Sequence, residues 1–265
     1  MVESASESLD LPITYRQEVV GPVMQHLLAG ESCAIVGIAG SGKSNLLKML
    51  ARRDVQTHYL GATQPRFLFV WVDFNRLAQL SEWGFWELLL HRLVTAVAGA
   101  AAGSEMPVRL ATLHEQATVS RDAVVAQRRL ETAVTLVAGE PDRRLVILFD
   151  QFDDVWRTLP GGVFRALRAL RDEFKYRLSY VISTRDELAR LRPDLSAVED
   201  FYELVVGNCL GLGPHSEEDA RVQVARFDLR RGAALPPDQV ARLLQITGRH
   251  PGLVRVAYWA LANGR

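Results

Sequence analysis

The stretch Cys33-Ala-Ile-Val-Gly-Ile-Ala-Gly-Ser-Gly-Lys-Ser44 decides how this sequence reads. Its first four residues form a short apolar run suited to a buried strand, and the eight from Gly37 fit G-x-x-x-x-G-K-[ST] at every fixed position. Leu46, Leu47, Met49 and Leu50 follow as the apolar positions of a helix. Strand, glycine turn and helix in that order make a loop that wraps phosphate oxygens. Glycines at 40 and 42 let the backbone approach closely, and successive N–H groups with the helix N-terminus supply positive potential. Lys43 is expected to neutralise β- and γ-phosphates and the Ser44 hydroxyl to join a Mg²⁺ shell, with Gly37, Ala39, Gly40, Ser41, Gly42 and Asn45 completing the nucleotide-binding loop.

Working outward, apolar runs at 67–72, 145–149, 178–183 and 202–206 read as further strands. Helical patterns fall between them at about 17–29, 43–52, 83–100, 116–138 and 162–176. Five strands alternating with helices predict a three-layer α/β core around a parallel sheet. Strand signals stop near 207, and 217–227, 237–246 and 251–262 read as short helices, with Gly248 at a C-cap and Pro251 in a first turn. The expected organisation is a flexible polar segment over 1–10, an ATPase core over 11–207 and a helical lid over 208–265. Residues 98–104 are low in complexity and Pro107 is expected to break any helix, which predicts a projecting loop.

The second chemical element is Arg144-Leu-Val-Ile-Leu-Phe-Asp-Gln-Phe-Asp-Asp154, a buried strand that delivers Asp150 at its C-terminal end. In an open α/β sheet that edge binds the ligand, so Asp150 is expected to face the phosphate loop and hold Mg²⁺ directly or through water. Gln151 can orient a water but cannot take its proton at ordinary pH, which leaves Asp153 or Asp154 as the candidate base and predicts slow hydrolysis. The alternative for these two acids is simply to begin a helix. The run from Leu178 ends in Ser183, Thr184 and Arg185 at the same edge, where Arg185 can report a γ-phosphate or else pair with Asp186 or Glu187. Asp73, ending the second strand, reads as a turn residue, with metal assistance as its alternative.

These segments together resemble the STAND class of signal-transduction ATPases, relatives of AAA+ and NB-ARC proteins, in its bacterial form. The likeness rests on the complete phosphate loop, Asp150-Gln-Phe-Asp-Asp154, Ser183-Thr-Arg185 and Gly248-Arg-His-Pro-Gly252 opening a helix. Tyr15-Arg-Gln-Glu18 is similar to the segment that precedes the loop in that class and approaches adenine, although Tyr15 stands where a Gly is common. The class's Gly-x-Pro maps onto Arg249-His-Pro251, matching Pro251 but not the Gly. The resemblance implies an ASCE/AAA+-like sheet in the order 5-1-4-3-2, ATP or ADP with Mg²⁺, and Tyr15, Arg16 and Pro251 near the base. It also implies nucleotide-dependent self-assembly and a partner or effector protein.

Composition bounds these readings. The 265 residues carry 31 Lys plus Arg against 31 Asp plus Glu, a net charge of zero that argues against coating nucleic acid or an anionic membrane. Neither membrane nor nucleic acid is therefore expected as a partner, and a cytoplasmic location fits the two widely spaced cysteines and the polar start. Phe164, Leu167, Leu170 and Phe174 form an apolar helix stripe. Arg165, Arg168, Arg171 and Lys175 form a basic one, expected as a solvated face, with a subunit or nucleic-acid contact as alternatives. The leading expectation is a nucleotide switch module of STAND type. A DNA-associated, initiator-like AAA+ ATPase stands second, because no winged helix is visible after the lid. A nucleotide-stabilised scaffold without turnover is the third.

Overall fold

The computed structural model describes residues 11–77, 79–100 and 105–263. The flexible segment expected over 1–10 and the low-complexity residues 101–104 lie outside that range. In chain order the elements are α1 (Gln17–Ala29), β1 (Cys33–Val36), α2 (Lys43–Leu50), α3 (Arg53–Leu60), β2 (Phe67–Asp73) and α4 (Glu82–Ala100). There follow α5 (Met106–Ser120), α6 (Ala123–Ala138), β3 (Arg144–Asp150), α7 (Asp153–Thr158), α8 (Gly161–Glu173) and β4 (Leu178–Thr184). The chain closes with α9 (Leu188–Leu191), α10 (Glu199–Val206), β5 (Cys209–Gly211), α11 (Glu217–Arg231), α12 (Pro237–Ile246) and α13 (Pro251–Ala262).

All strand pairs are parallel and the sheet runs β2-β3-β4-β1-β5, which is the expected 5-1-4-3-2 order read from the other edge. Alternation of side chains across the pleat builds the three layers. Leu145, Ile147 and Phe149 of β3 pack toward α4, α6 and α8, while Val146 and Leu148 pack toward α1, α2 and α3. A third, separate cluster joins Val224, Phe227, Leu243, Val254 and Tyr258 of α11, α12 and α13.

Four readings of the sequence need correction. The run 202–206 is not a strand but the end of α10, which buries Phe201 and Val205 one turn apart. The fifth strand is the three-residue β5, an edge too short and too exposed for hydropathy to reveal, so the sheet extends to Gly211. The pattern at 116–138 is two helices. Arg121 turns left-handed at φ 51° to end α5, and Asp122 caps α6 by accepting from the N–H groups of Val124 and Val125. Pro107 starts α5 in its first turn, where its missing N–H costs nothing, instead of breaking a helix. On α8 the apolar stripe is core as expected, and of the basic stripe Arg165 and Lys175 are exposed as expected while Arg168 and Arg171 are tied into the fold. Arg171 is buried and donates to the Gly30 carbonyl at 3.0 Å, and Arg168 bonds Asp172 and the Asp200 carbonyl.

Candidate functional site: a cleft between the sheet edge and the lid

The phosphate loop leaves β1 at Val36 and enters α2 at Lys43. Gly40 and Gly42 have φ of 78° and 95°, left-handed values that L-residues adopt only under strain, and Gly42 is the N-cap of α2. The Lys43 ammonium donates to the carbonyls of Gly37 and Ile38, so it already lies along the loop. Burial pushes its pKa down, and nearby Arg185 adds to this while Asp153 and Asp150 oppose it.

Register places Asp150 beside Asp73 at the C-terminal ends of β3 and β2. The Asp150 carboxylate is 1% exposed and accepts from Ser44 Oγ at 3.1 Å and Ser183 Oγ at 3.0 Å. Burial raises its pKa, partly offset by those two hydroxyls. Ser183 Oγ in turn accepts the Gln151 N–H at 3.2 Å, which stabilises the left-handed Gln151, φ 59°. The pair Ser44 and Asp150 offers hydroxyl and carboxylate oxygen, the donor chemistry of a Mg²⁺ site completed by phosphates and water. Asp73 caps its own turn by accepting from the Asn75 N–H, the turn role expected of that residue.

Around the loop lies a cleft of about 380 Å³. Its core wall holds Tyr15, Ala39, Gly40, Gly42, Lys43, Ser44, Asn45, Gln151, Asp153 and Arg185, and Pro251 faces them from α13. Four other candidates stand behind that wall: the buried Asp150, held between Ser44 and Ser183, and Gly37, Ser41 and Arg16. Gly37 and Ser41 are structural turns of the loop, and Arg16, 2% exposed, points away from the cleft to bond the carbonyls of Ser41, Gly213 and Pro214. The two candidate bases also part. Asp153 is buried at the cleft and accepts the Arg185 N–H at 2.8 Å. Asp154 opens onto a neighbouring cavity with Phe74, Asn75 and Leu77, is 81% exposed at its side chain and pairs with Arg157 at 3.4 Å. The structure therefore places Asp154 outside this cleft, because consecutive helix positions point about 100° apart.

The opposite wall escaped sequence reasoning. Gln223, Arg226, Phe227 and Arg230 of α11 share one helix face and line the cleft, as do Gly252 and Arg255 of α13. Their i, i+3, i+4, i+7 spacing was visible, but nothing local says which element that face meets. Contact between the walls is direct: a side chain on Gly40 would come within 3.4 Å of Gly252 Cα and 3.3 Å of His250.

Sheet order, phosphate loop and acid-bearing strand end define the α/β P-loop fold of AAA+ type. The sequence matches no family model and no curated protein. Among solved structures, the chain is similar to the Aeropyrum pernix Orc1 protein in complex with DNA, at a TM-score of 0.59 and 14% identity. The match covers 98% of this chain and 63% of that one, so the chain spans less than two thirds of its length. Cdc6p from Pyrobaculum aerophilum gives 0.56 at 14% identity, over 99% of this chain and 66% of that one. A Walker-type ATPase of Pyrococcus abyssi gives 0.51 at 15% identity, over 96% and 71%. These likenesses support the AAA+ part of the expected resemblance and not its bacterial STAND part. They also leave the expectation of no nucleic-acid partner without support. No helix among the described residues is long and apolar enough to cross a membrane.

Proposed function

We propose that this chain is a Mg²⁺-ATP-binding switch module of Orc1/Cdc6-like AAA+ type, in which the nucleotide sets how the helical lid sits on the core. The observation that carries this reading is one cleft with two unlike walls: the loop at 40–45 on one side, Pro251 and Arg255 on the other. Phosphates would bind the backbone N–H groups of the loop and the start of α2, with Lys43 moving from the Gly37 and Ile38 carbonyls onto them. Ser44 and Asp150 would hold Mg²⁺, which neutralises charge on the phosphates. Arg185 would meet the terminal phosphate; the bond from its backbone N–H to Asp153 supports this role. Tyr15 and Pro251 remain the candidates nearest the base. Hydrolysis is expected to be slow, because Gln151 follows Asp150 and the base role falls to a hydrogen-bonded Asp153. In this reading the core runs from 11 through β5 and the lid from there to 263.

The DNA-associated reading now stands ahead of the STAND reading, on the strength of the initiator-type neighbours. Titration of labelled duplex DNA at 50 and 150 mM salt, with ADP and with a non-hydrolysable ATP analogue, separates them. The initiator reading expects nucleotide-sensitive binding that weakens with salt. No DNA binding at either salt, together with assembly in the ATP analogue alone, would restore the signalling reading. A protein that binds nucleotide, never releases phosphate and never changes size would be a scaffold.

A further inference from the structure

The segment ahead of α1 was expected at the base, yet Arg16 turns its side chain inward. One guanidinium nitrogen donates to the Ser41 carbonyl in the phosphate loop at 3.0 Å. The other donates to the Gly213 and Pro214 carbonyls at 3.0 and 2.8 Å, in the linker between β5 and α11. The main-chain N–H of the same residue faces both Asp219 carboxylate oxygens at 3.3 Å, on the first turn of α11. Arg16 thus holds the phosphate loop, the linker and the lid's first helix from a single position. It does so in a left-handed conformation, φ 58° and ψ 31°, which a residue with a side chain keeps only where its surroundings demand it.

Two chains of contacts extend from this point. Toward the phosphates, Ser41 N–H donates to the Ile38 carbonyl at 3.2 Å, and that carbonyl also receives Lys43 Nζ at 3.1 Å. Toward the lid, Tyr15 Oη lies 2.6 Å from His215 Nε2. Burial, with Arg16 adding to it, pushes His215 down to about 3, so the imidazole is neutral and accepts a hydrogen bond from the Tyr15 hydroxyl. His215 N–H donates to the Arg249 carbonyl just before α13, and Gln223 Nε2 on α11 donates to the Pro251 carbonyl at 3.0 Å.

We propose that Arg16 is a positioning residue that couples the phosphate loop to the lid: a change at Lys43 and Ile38 reaches Ser41, and the guanidinium passes it to the Gly213–Pro214 linker and α11. The proposal deepens the nucleotide-switch reading and rests on it for its trigger, whereas the clamp itself is testable without nucleotide.

The test is amide hydrogen exchange on the full chain, for wild type, Arg16→Gln and Arg16→Lys, without nucleotide and with a Mg²⁺-ATP analogue. Without nucleotide, Arg16→Gln is expected to exchange about tenfold faster in α11 and α13 while β1, β3 and β4 are unchanged, because three bonds between segments are gone. With nucleotide, wild type gains protection in both α2 and the lid, Arg16→Gln gains it in α2 alone, and Arg16→Lys lies between them. Equal lid exchange in Arg16→Gln and wild type without nucleotide would overturn the clamp. Equal gains in lid protection with nucleotide would overturn the coupling. If nucleotide protects nothing in wild type, the switch reading fails, and the nucleotide-free comparison still decides whether Arg16 holds the lid. Should Arg16→Gln fail to fold, Arg16→Lys is read the same way, since one ammonium cannot hold all three carbonyls, with faster lid exchange expected and wild-type exchange counting against the clamp.

Discussion

The two walls of the cleft are built on different principles. On the sheet side, Asp150 is buried and has its hydroxyl partners in place, and the strands around it are covered on both faces. On the lid side, Gln223, Arg226, Arg230 and Arg255 stand on helices whose apolar residues form their own small cluster. One wall is preorganised to receive charge, and the other brings charge to it. A rigid wall sets what binds. A separately packed cationic wall can change position with what is bound, which is the differential contact a switch requires.

This contrast can be broken on either side. The largest effect is expected from Asp150→Asn. It should lower Mg²⁺-dependent ATP affinity by about 100-fold, since a charged metal ligand and its bond to Ser44 are both altered. The nucleotide-free protein should melt no lower than wild type, because a buried carboxylate costs more to desolvate than an amide. Calorimetry with and without Mg²⁺ and a thermal melt check both halves. A large loss of stability would mean that the sheet wall depends on that charge for its fold.

Next comes pH, acting through His215 beneath the lid. Its folded pKa, about 3, lies below the ordinary value near 6.5, so its stability contribution is complete above about pH 6.5 and is lost as pH falls toward 3. Lid stability should drop by about 2 kcal/mol between pH 7 and 5 in wild type. His215→Gln should flatten that slope, as measured by hydrogen exchange of α11 and α13. A wild-type slope retained in the variant would place the acid-sensitive group elsewhere.

Asp153 and Asp154 set a finer test. Asp153→Asn should cost about 1 kcal/mol and slow phosphate release, because it weakens the acceptor of the Arg185 N–H. Asp154→Asn should change stability by less than about 0.5 kcal/mol and leave turnover as it was. Smallest of all, Arg255→Ala should weaken ATP binding about threefold to tenfold, more at low salt than at high, as expected of one partly screened cation.

The sheet wall could be read from the chain because its chemistry is contiguous. Residues 33–44 carry strand, turn and helix in one run, Asp150 ends the unbroken apolar run 145–149, and Ser183 directly follows the apolar Tyr180-Val-Ile182. Those local signals are the same forces that fix the layers. The lid wall has no such run, and its cleft-facing side chains are defined only by where α11 and α13 dock. Arg16 shows the limit most clearly. Its position before α1 pointed to a base contact, but its left-handed backbone and its bonds to residues 25 and nearly 200 positions away are tertiary facts. Strand β5 was hidden for a related reason: three largely exposed residues join the sheet because β1 offers a free edge, and hydropathy carries no record of that.

The most direct test of the central claim is a calorimetric titration of Mg²⁺-ATP into wild type and Lys43→Ala at matched pH and salt. The account predicts measurable binding to wild type and a loss of at least about 100-fold in the variant, with its melting temperature in the absence of nucleotide retained. Equal affinity in the two proteins would contradict the assignment of the loop at 37–44 as the phosphate site, and with it the switch.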